Sequence, residues 1–281
     1  MTIVRAIIAL MRLDKPIGIF LLWFPTAWAL CLGYNGLPPW TILFWFAWGT
    51  IVMRSAGCVI NDIADRKWDG FVKRTQFRPL VTQRLSLQTA WVVFMILIII
   101  ALLILIQLPQ NCFYGAIPAA ALTVLYPFCK RFISTPQLIL GLAFSSSIPM
   151  VALASQSHWS APWTILLFIT ILWVVAYDTQ YALADVEDDK KAGILSTAGL
   201  LKDKVHLFIY GTQITMHILW IYYAYLTQQK QSFYIGWMMA FLFGFYQFLC
   251  IQKQNPLQAF KNNTWYGLWM WLLLLTNELG C

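Results

Sequence analysis

Charge is scarce in this sequence: Asp, Glu, Lys and Arg make up 11% of 281 residues, against 60% hydrophobic ones, and the mean hydropathy is +0.67. So few charged side chains cannot cover a folded surface with groups that water solvates. That excludes a soluble globular protein and leaves a membrane protein that crosses the bilayer several times. Histidine is scarcer still, and His158, His206 and His217 fall in separate segments that form no ligand pair. Cys31, Cys58, Cys112, Cys129, Cys250 and Cys281 show no CxxC or other metal spacing and read as small buried hydrophobes. No linker or low-complexity stretch interrupts the chain, so residues 1–281 read as one domain.

What the chain has in quantity is apolar sequence. At roughly 20 residues per spanning helix, the runs 16–34, 40–60, 89–107, 112–128, 137–155, 162–183, 205–226, 233–251 and 264–279 predict nine transmembrane helices in an all-α bundle. Ser145, Ser146 and Ser147 interrupt the fifth. Every basic residue except Arg54 and Lys230 falls at the N-terminus or in an even-numbered connection. Lys and Arg accumulate on the cytoplasmic side, so the N-terminus is expected there and the C-terminus on the far side. Topology thereby accounts for the net charge of +8 without a nucleic-acid partner. Residues 1–15 are too short to span and carry no small-residue cleavage site, so a removed signal peptide is not expected. Arg5 and Arg12, seven apart, suit an interfacial helix on the cytoplasmic leaflet, the alternative being a frayed start.

The remaining polar residues are concentrated in two cytoplasmic connections, 61–88 and 184–204, and each begins with acids. NDIADRKWD places Asn61, Asp65 and Asp69 at i, i+4 and i+8, one face of a helix continuing past the membrane boundary, with Asp62 one residue off the stripe. YDTQYALADVEDDKK places Asp185 and Asp189 at i, i+4, with Asp178 seven residues earlier on the same side. Like charges at this spacing repel unless a cation sits between them. Hard oxygen donors without His or Cys suit Mg²⁺, which is held by one or two carboxylates together with substrate phosphates. Two such clusters facing each other would hold a diphosphate; the alternative is a pair of solvated acidic faces neutralised by basic neighbours.

Lys73, Arg74 and Arg78 follow the first cluster, and Lys130 and Arg131 lie on a separate cytoplasmic connection. These residues suit phosphate oxygens, although positive-inside placement alone also accounts for such positions. Arg54 lies inside the second span, where an ionisable residue is costly and reads as functional. Being seven residues before Asn61, it faces the same stripe.

Together these residues resemble the UbiA superfamily of intramembrane aromatic prenyltransferases, whose NDxxDxxxD box stands here as Asn61, Asp62, Asp65 and Asp69, and whose DxxxD box stands as Asp185 and Asp189. The resemblance is closer to the 4-hydroxybenzoate polyprenyltransferase branch in RLDKPIGIFLLWFPTAWAL (12–30), RSAGCVINDIADRKWDGFVKRT (54–75), LYPFCKRF (125–132), PQLILGLAF (136–144) and YDTQYALADVEDDKKAGILSTA (177–198). Beyond about residue 200 the chain carries little but hydrophobicity. The resemblance implies a nine-helix bundle around a central cavity open to the cytoplasm and to lipid, in the bacterial inner membrane. It further implies Mg²⁺ as cofactor, with polyprenyl diphosphate and 4-hydroxybenzoate as substrates. The prenyl chain would be transferred to the ring carbon ortho to the hydroxyl, a step of ubiquinone biosynthesis.

On that resemblance, Asn61, Asp65, Asp69, Asp185 and Asp189 are expected to hold the metal, and Lys73, Arg74, Lys130 and Lys191 the phosphates. Tyr126, Tyr177 and Tyr181 are expected to face the developing allylic cation, and Arg131 or Arg54 to bind the benzoate carboxylate. Asp62, Asp178 or the diphosphate itself would take the ring proton. Val186 and Leu195 stand where the branch usually has basic residues, with Lys190 as a candidate replacement, and FRPLVTQRLS replaces a more common NRPLPSGxxS while keeping Arg78 and Pro79. Prenylation of a naphthoate or of haem is the alternative within the same chemistry. A divalent-cation transporter is the alternative outside it, disfavoured because most of the acids sit at cytoplasmic helix ends.

Overall fold

The computed structural model describes residues 2–278, so Leu279, at the end of the ninth predicted span, and Cys281 lie outside the described residues. Among the described residues there is no strand. Long apolar runs require this, because in a bilayer each backbone N–H and C=O must find its partner within its own segment. The helices are α1 (Ile3–Leu10), α2 (Ile17–Tyr34), α3 (Trp40–Asp65), α4 (Leu87–Ile106), α5 (Cys112–Cys129), α6 (Pro136–Ser145) and α7 (Ser147–Ala154). They continue with α8 (Ala161–Leu183), α9 (Val186–Ala192), α10 (Thr197–Leu201), α11 (Val205–Leu226), α12 (Gln231–Gln252) and α13 (Pro256–Glu278).

Seven stretches are long and apolar enough to cross a membrane: α2, α3, α4, α5, α6 with α7 as Pro136–Ala154, α8 and α12. The two other predicted spans correspond to α11 and α13, of 22 and 23 residues, which have the length to cross but carry polar side chains such as Gln213, His217, Asn262 and Asn263. The predicted fifth span is broken at Ser146. There the hydroxyls of Ser145 and Ser146 donate to the carbonyls of Leu142 and Ala143, at 3.1 and 2.7 Å. Such back-bonding competes with the helical ladder and bends it.

The N-terminal segment departs from its expected amphipathic face. α1 ends at Leu10, and Arg12 adopts a left-handed φ of 58°. Its guanidinium therefore turns to Asp62 instead of sharing a helical face with Arg5. α1 buries Ala6 and Leu10 and leaves Ile3 and Val4 exposed, which keeps an apolar edge as an interfacial helix requires.

Three buried tryptophans tie the bundle together: Trp28 of α2 lies 4.9 Å from Trp173 of α8 and 5.4 Å from Trp220 of α11, between ring centroids. The Trp28 indole N–H donates to the Gly267 carbonyl of α13 at 3.3 Å. A Cβ on Gly267 would stand 2.7 Å from Phe24 Cγ, so the glycine sets how closely α13 approaches α2. Lipid is as apolar as the helices, and association therefore depends on such close contacts and on interhelical hydrogen bonds. The latter form a chain: Gln180 and Gln213 donate to Gln247 Oε1 at 2.9 and 2.7 Å, Gln247 donates to Asn262 at 3.1 Å, Asn263 donates to Gln180 at 3.0 Å, and Trp173 donates to Asn263 at 2.9 Å. The C-terminal helices thus carry more than hydrophobicity, a correction to the sequence expectation.

Candidate active site

The first acidic box is not one continuous stripe. α3 carries Asn61, Asp62 and Asp65 to its end; the Trp68 N–H then bonds the Asp65 carbonyl at 2.8 Å, and Asp69 falls on a separate 3₁₀ turn, Asp69–Phe71. The Thr75 hydroxyl fixes that turn by donating to the Asp69 carbonyl at 2.7 Å. Carboxylates one turn apart repel, and the bend lets each meet a cation. Asp62 accepts from Arg12 Nη2 at 2.8 Å and lies 3.0 Å from Arg78 Nη1, which also donates to Asp69 at 2.6 Å. Asp65 pairs with Lys130. Asp62 and Asp65 are 1% and 2% exposed, so these are buried ion pairs. Burial pushes the Asp69 carboxyl up to about 6, while Arg78 pulls the other way.

The second box bends as well. α8 ends at Leu183, and Asp185 occupies the N-cap position of α9, so Asp178 within α8 shares no continuous helix with it. Arg74 grips Asp185 with Nε at 3.0 Å from each carboxylate oxygen, and its guanidinium lies 4.4 Å over the Tyr181 ring. The Lys73 backbone N–H donates to Asp188 at 3.0 Å, and the Leu195 N–H donates to the Lys130 carbonyl at 3.0 Å. Burial pushes Asp189 up to about 6, and Asp185 adds to the rise. The loop after α3, the loop after α5 and the loop after α8 therefore interlock over one end of the bundle.

Beneath them lies a cavity of about 910 Å³. Asn61, Asp62, Arg74 and Arg78 line its polar end; Arg54, Tyr126, Tyr177, Asp178, Tyr181 and Phe144 line its middle; Ile98, Leu105, Leu108, Ala116 and Met150 line its apolar end. Both α4 and α5 contribute to the wall, which gives the cavity an apolar flank of helices long and apolar enough to cross a membrane. Arg54 Nε is buried with no hydrogen-bond partner among the described residues, and the guanidinium stands 5.6 Å from the Phe144 centroid.

Of the residues expected from sequence, Asp65, Asp69, Asp185 and Asp189 stand behind the wall, their negative charge met by Lys130, Arg78 and Arg74. Lys191 and Lys190 are exposed and off the wall, as is the Lys73 side chain. Arg131 is occupied elsewhere: it donates to the Ala64 carbonyl at 2.7 Å and stacks 4.2 Å over Trp68. Val186 packs against the Ala182, Ala198, Val205 and Ile251 cluster, which explains an apolar residue there. Arg12, Phe144, Phe260 and Lys261 line or brace the site without having been singled out. Arg12 and Phe144 lie in segments that carry the resemblance, but nothing in their spacing distinguishes them from topological charge and ordinary packing.

The donor set fits Mg²⁺ in kind. It offers oxygen donors only, with Asp65, Asp69 and Asp185 buried and Asn61 and Asp189 half-buried, and cationic side chains stand in for the balancing charge on Asp65 and Asp185. Among the described residues no three acidic, His or Cys side chains converge to hold a metal alone. That agrees with an ion taking one or two carboxylates and completing its sphere with water and phosphate.

Residues 22–274 match the UbiA prenyltransferase family. The chain is 46% identical over 270 residues to a 4-hydroxybenzoate octaprenyltransferase of Legionella pneumophila, a match that covers 95% of this chain and 96% of that protein. It superposes on a UbiA homolog from Aeropyrum pernix K1 with a TM-score of 0.80 at 22% identity, covering 92% of this chain and 97% of the other. On a UbiA homolog from Archaeoglobus fulgidus, solved with DMAPP and Mg²⁺, the TM-score is 0.74 at 16% identity, with 98% of each chain covered. With a family match over residues 22–274, and a relative this similar over nearly its whole length, the chain belongs to the UbiA prenyltransferase family.

Proposed function

We propose that this chain transfers an octaprenyl group from its diphosphate to the carbon ortho to the hydroxyl of 4-hydroxybenzoate, a step of ubiquinone biosynthesis. The relative named above supports the donor length and the acceptor. The observation that carries the acceptor class is Arg54, a guanidinium beside Phe144 whose buried Nε has no partner among the described residues. A buried guanidinium nitrogen left without an acceptor is costly unless a ligand supplies one. A benzoate carboxylate supplies it, and an aromatic ring fits among Phe144, Tyr126 and Tyr177.

The chain acts as a single domain of nine spans, α11 and α13 included, in the bacterial inner membrane with its N-terminus and site facing the cytoplasm. The support is the basic residues concentrated at the site end of the bundle. Lys130 and Arg74 hold diphosphate oxygens once their carboxylate partners are otherwise engaged. When bound, Mg²⁺ supplies positive charge to the departing diphosphate, and Asn61, Asp65, Asp69, Asp185 and Asp189 are the residues that would hold it.

The C1–O bond of the prenyl diphosphate breaks, with its electrons leaving on the diphosphate. The ring carbon forms the new C–C bond, and its proton passes to the diphosphate or to Asp178. Asp62 is the weaker acceptor because two arginines already hold it. Tyr126, Tyr177 and Tyr181 turn aromatic faces to the cationic carbon, and the apolar wall excludes water from it.

The test incubates membranes carrying the protein with 4-hydroxybenzoate, a short prenyl diphosphate and Mg²⁺, with an EDTA control. Mass spectrometry should find a metal-dependent, ring-prenylated acid. Product from another aromatic acceptor in its place would move the assignment to a sister activity, and no turnover of any acceptor would reject the enzymatic reading.

A further inference from the structure

A second cavity, of about 560 Å³, lies among the ends of four helices: the last residues of α8 and α12 and the first residues of α11 and α13. It adjoins the machinery described above at two points. Ala184, which lines it, immediately precedes Asp185, and Leu257 lines both this cavity and the one that holds Arg54.

Its lining is divided between apolar residues, Leu183, Ile251 and Leu257, and polar but uncharged ones, His206, Gln252, Gln254 and Asn255. No acidic residue is among those that line it. His206 Nδ1 is buried with no hydrogen-bond partner among the described residues, a cost that a bound group would relieve. The first-turn N–H groups of α11 and α13 add positive potential, and α11 has no side-chain cap to absorb it. Lys204, just before α11, and Lys253, between Gln252 and Gln254, are exposed beside the lining segments. Next to His206 and close to Ile251 in their helices, Leu207 and Leu249 are exposed apolar residues. Donors and cations at helix ends, with apolar side chains behind and beside them, suit an anion that carries an apolar body. Where helices leave a bilayer, that description fits a phospholipid.

We propose that this cavity binds the phosphodiester headgroup of an anionic phospholipid. His206 Nδ1 donates to a phosphate oxygen, since an acceptor facing the ring selects the tautomer with its proton there. Lys204 and Lys253 balance the charge, and Leu183, Ile251 and Leu257 receive the start of an acyl chain. Topology accounts for the two lysines but not for the buried Nδ1. Occupancy braces Ala184 and Leu257, and through them the second acidic loop and the shared wall. The bracing rests on the assigned reaction; the binding does not.

The test gives delipidated protein equal amounts of phosphatidylglycerol and phosphatidylcholine in detergent, and native mass spectrometry reads which lipid is retained. The parent should keep phosphatidylglycerol in preference. His206→Leu should weaken that retention about tenfold, as for the loss of a hydrogen bond to a charged group. Lys204→Gln with Lys253→Gln, at exposed positions that the fold tolerates, should weaken it by about tenfold or more through lost charge. Arg5→Gln with Lys67→Gln removes the same charge from exposed positions elsewhere and should keep the parent's preference. Equal retention of both lipids by the parent, or parent-like retention in both altered cavities, would overturn the site. So would displacement of the lipid by inorganic phosphate at equal concentration, which would make this a site for free phosphate.

Prenyl transfer is then compared in membranes of either lipid, with whichever aromatic acid the parent accepts. The parent should turn over several-fold faster in phosphatidylglycerol, and both altered cavities should lose that difference while keeping the parent's rate in phosphatidylcholine. Equal parent rates in the two lipids would overturn the bracing. Absence of turnover with any acceptor would reject the assigned reaction instead, and the retained lipid would still decide the site.

Discussion

Gly18 of α2 faces Arg54 of α3 so closely that a Cβ placed on Gly18 would lie 2.8 Å from Arg54 Cζ. The glycine is the floor on which the guanidinium rests, and no side chain larger than hydrogen leaves it there. Gly18→Ala should push Arg54 off its place and raise KM for 4-hydroxybenzoate roughly tenfold, about 1.4 kcal/mol of binding. KM for the prenyl diphosphate should stay as it is. Arg131→Ala, which removes a guanidinium already spent on Ala64 and Trp68, should leave both constants unchanged. The opposite pattern in steady-state kinetics would assign the carboxylate to Arg131.

Asp65→Ala and Asp185→Ala should each abolish prenyl transfer, by a factor on the order of 10² to 10³ or more, as expected when charge stabilisation of a leaving group is removed. Both proteins should remain folded in the membrane, and Lys130 or Arg74, freed from its partner, should not restore activity. Activity and unfolding temperature measured on the same preparations decide this; full activity in either variant would remove the two-box metal site.

Asp62 belongs to the same sequence box but is bound differently. Two arginines from separate segments, Arg12 and Arg78, converge on a carboxylate that is 1% exposed. Removing one member of such a buried group leaves charge uncompensated, at a cost of about 3–5 kcal/mol. Asp62→Asn should therefore lower the melting temperature sharply while the residual activity keeps its dependence on Mg²⁺ concentration. A stable variant with a raised Mg²⁺ requirement would make Asp62 a ligand.

Asn263→Leu should cost about 1 kcal/mol, because it strips partners from Trp173 and Gln180 in the interior, while hydrogen bonds between membrane helices are individually modest. Gln247→Leu cuts the same network from α12, so the double variant should lose less than the sum of the two. Thermal unfolding in detergent measures both, and strict additivity would show that the chain of amides is not acting as one unit.

Much of this was legible from the chain alone. Apolar runs of bilayer length predict the helices because lipid offers the backbone no partner. Two clusters of carboxylates among so few charges mark the reacting end, since like charges at helical spacing call for a cation. Arg54 stood out for the same reason of cost. The bends were less legible. Asp69 leaves the helical stripe at a turn held by Thr75, and Asp185 leaves that of Asp178 at the end of α8, by contacts made after the chain has turned.

By itself, then, the sequence determined composition-driven properties: an all-helical membrane chain, the acids and bases gathered at one end, and the chemistry those groups can perform. Only the tertiary structure decided which charge meets which. It gave Lys130 to Asp65, Arg74 to Asp185 and two arginines to Asp62, took Arg131 away from the cavity, and joined Gln137 to Thr197 across sixty residues. The physical reason is range. Periodicity acts over one or two helical turns and can be read along a line, whereas an ion pair or a buried amide is chosen by whatever the packed helices bring within 3 Å.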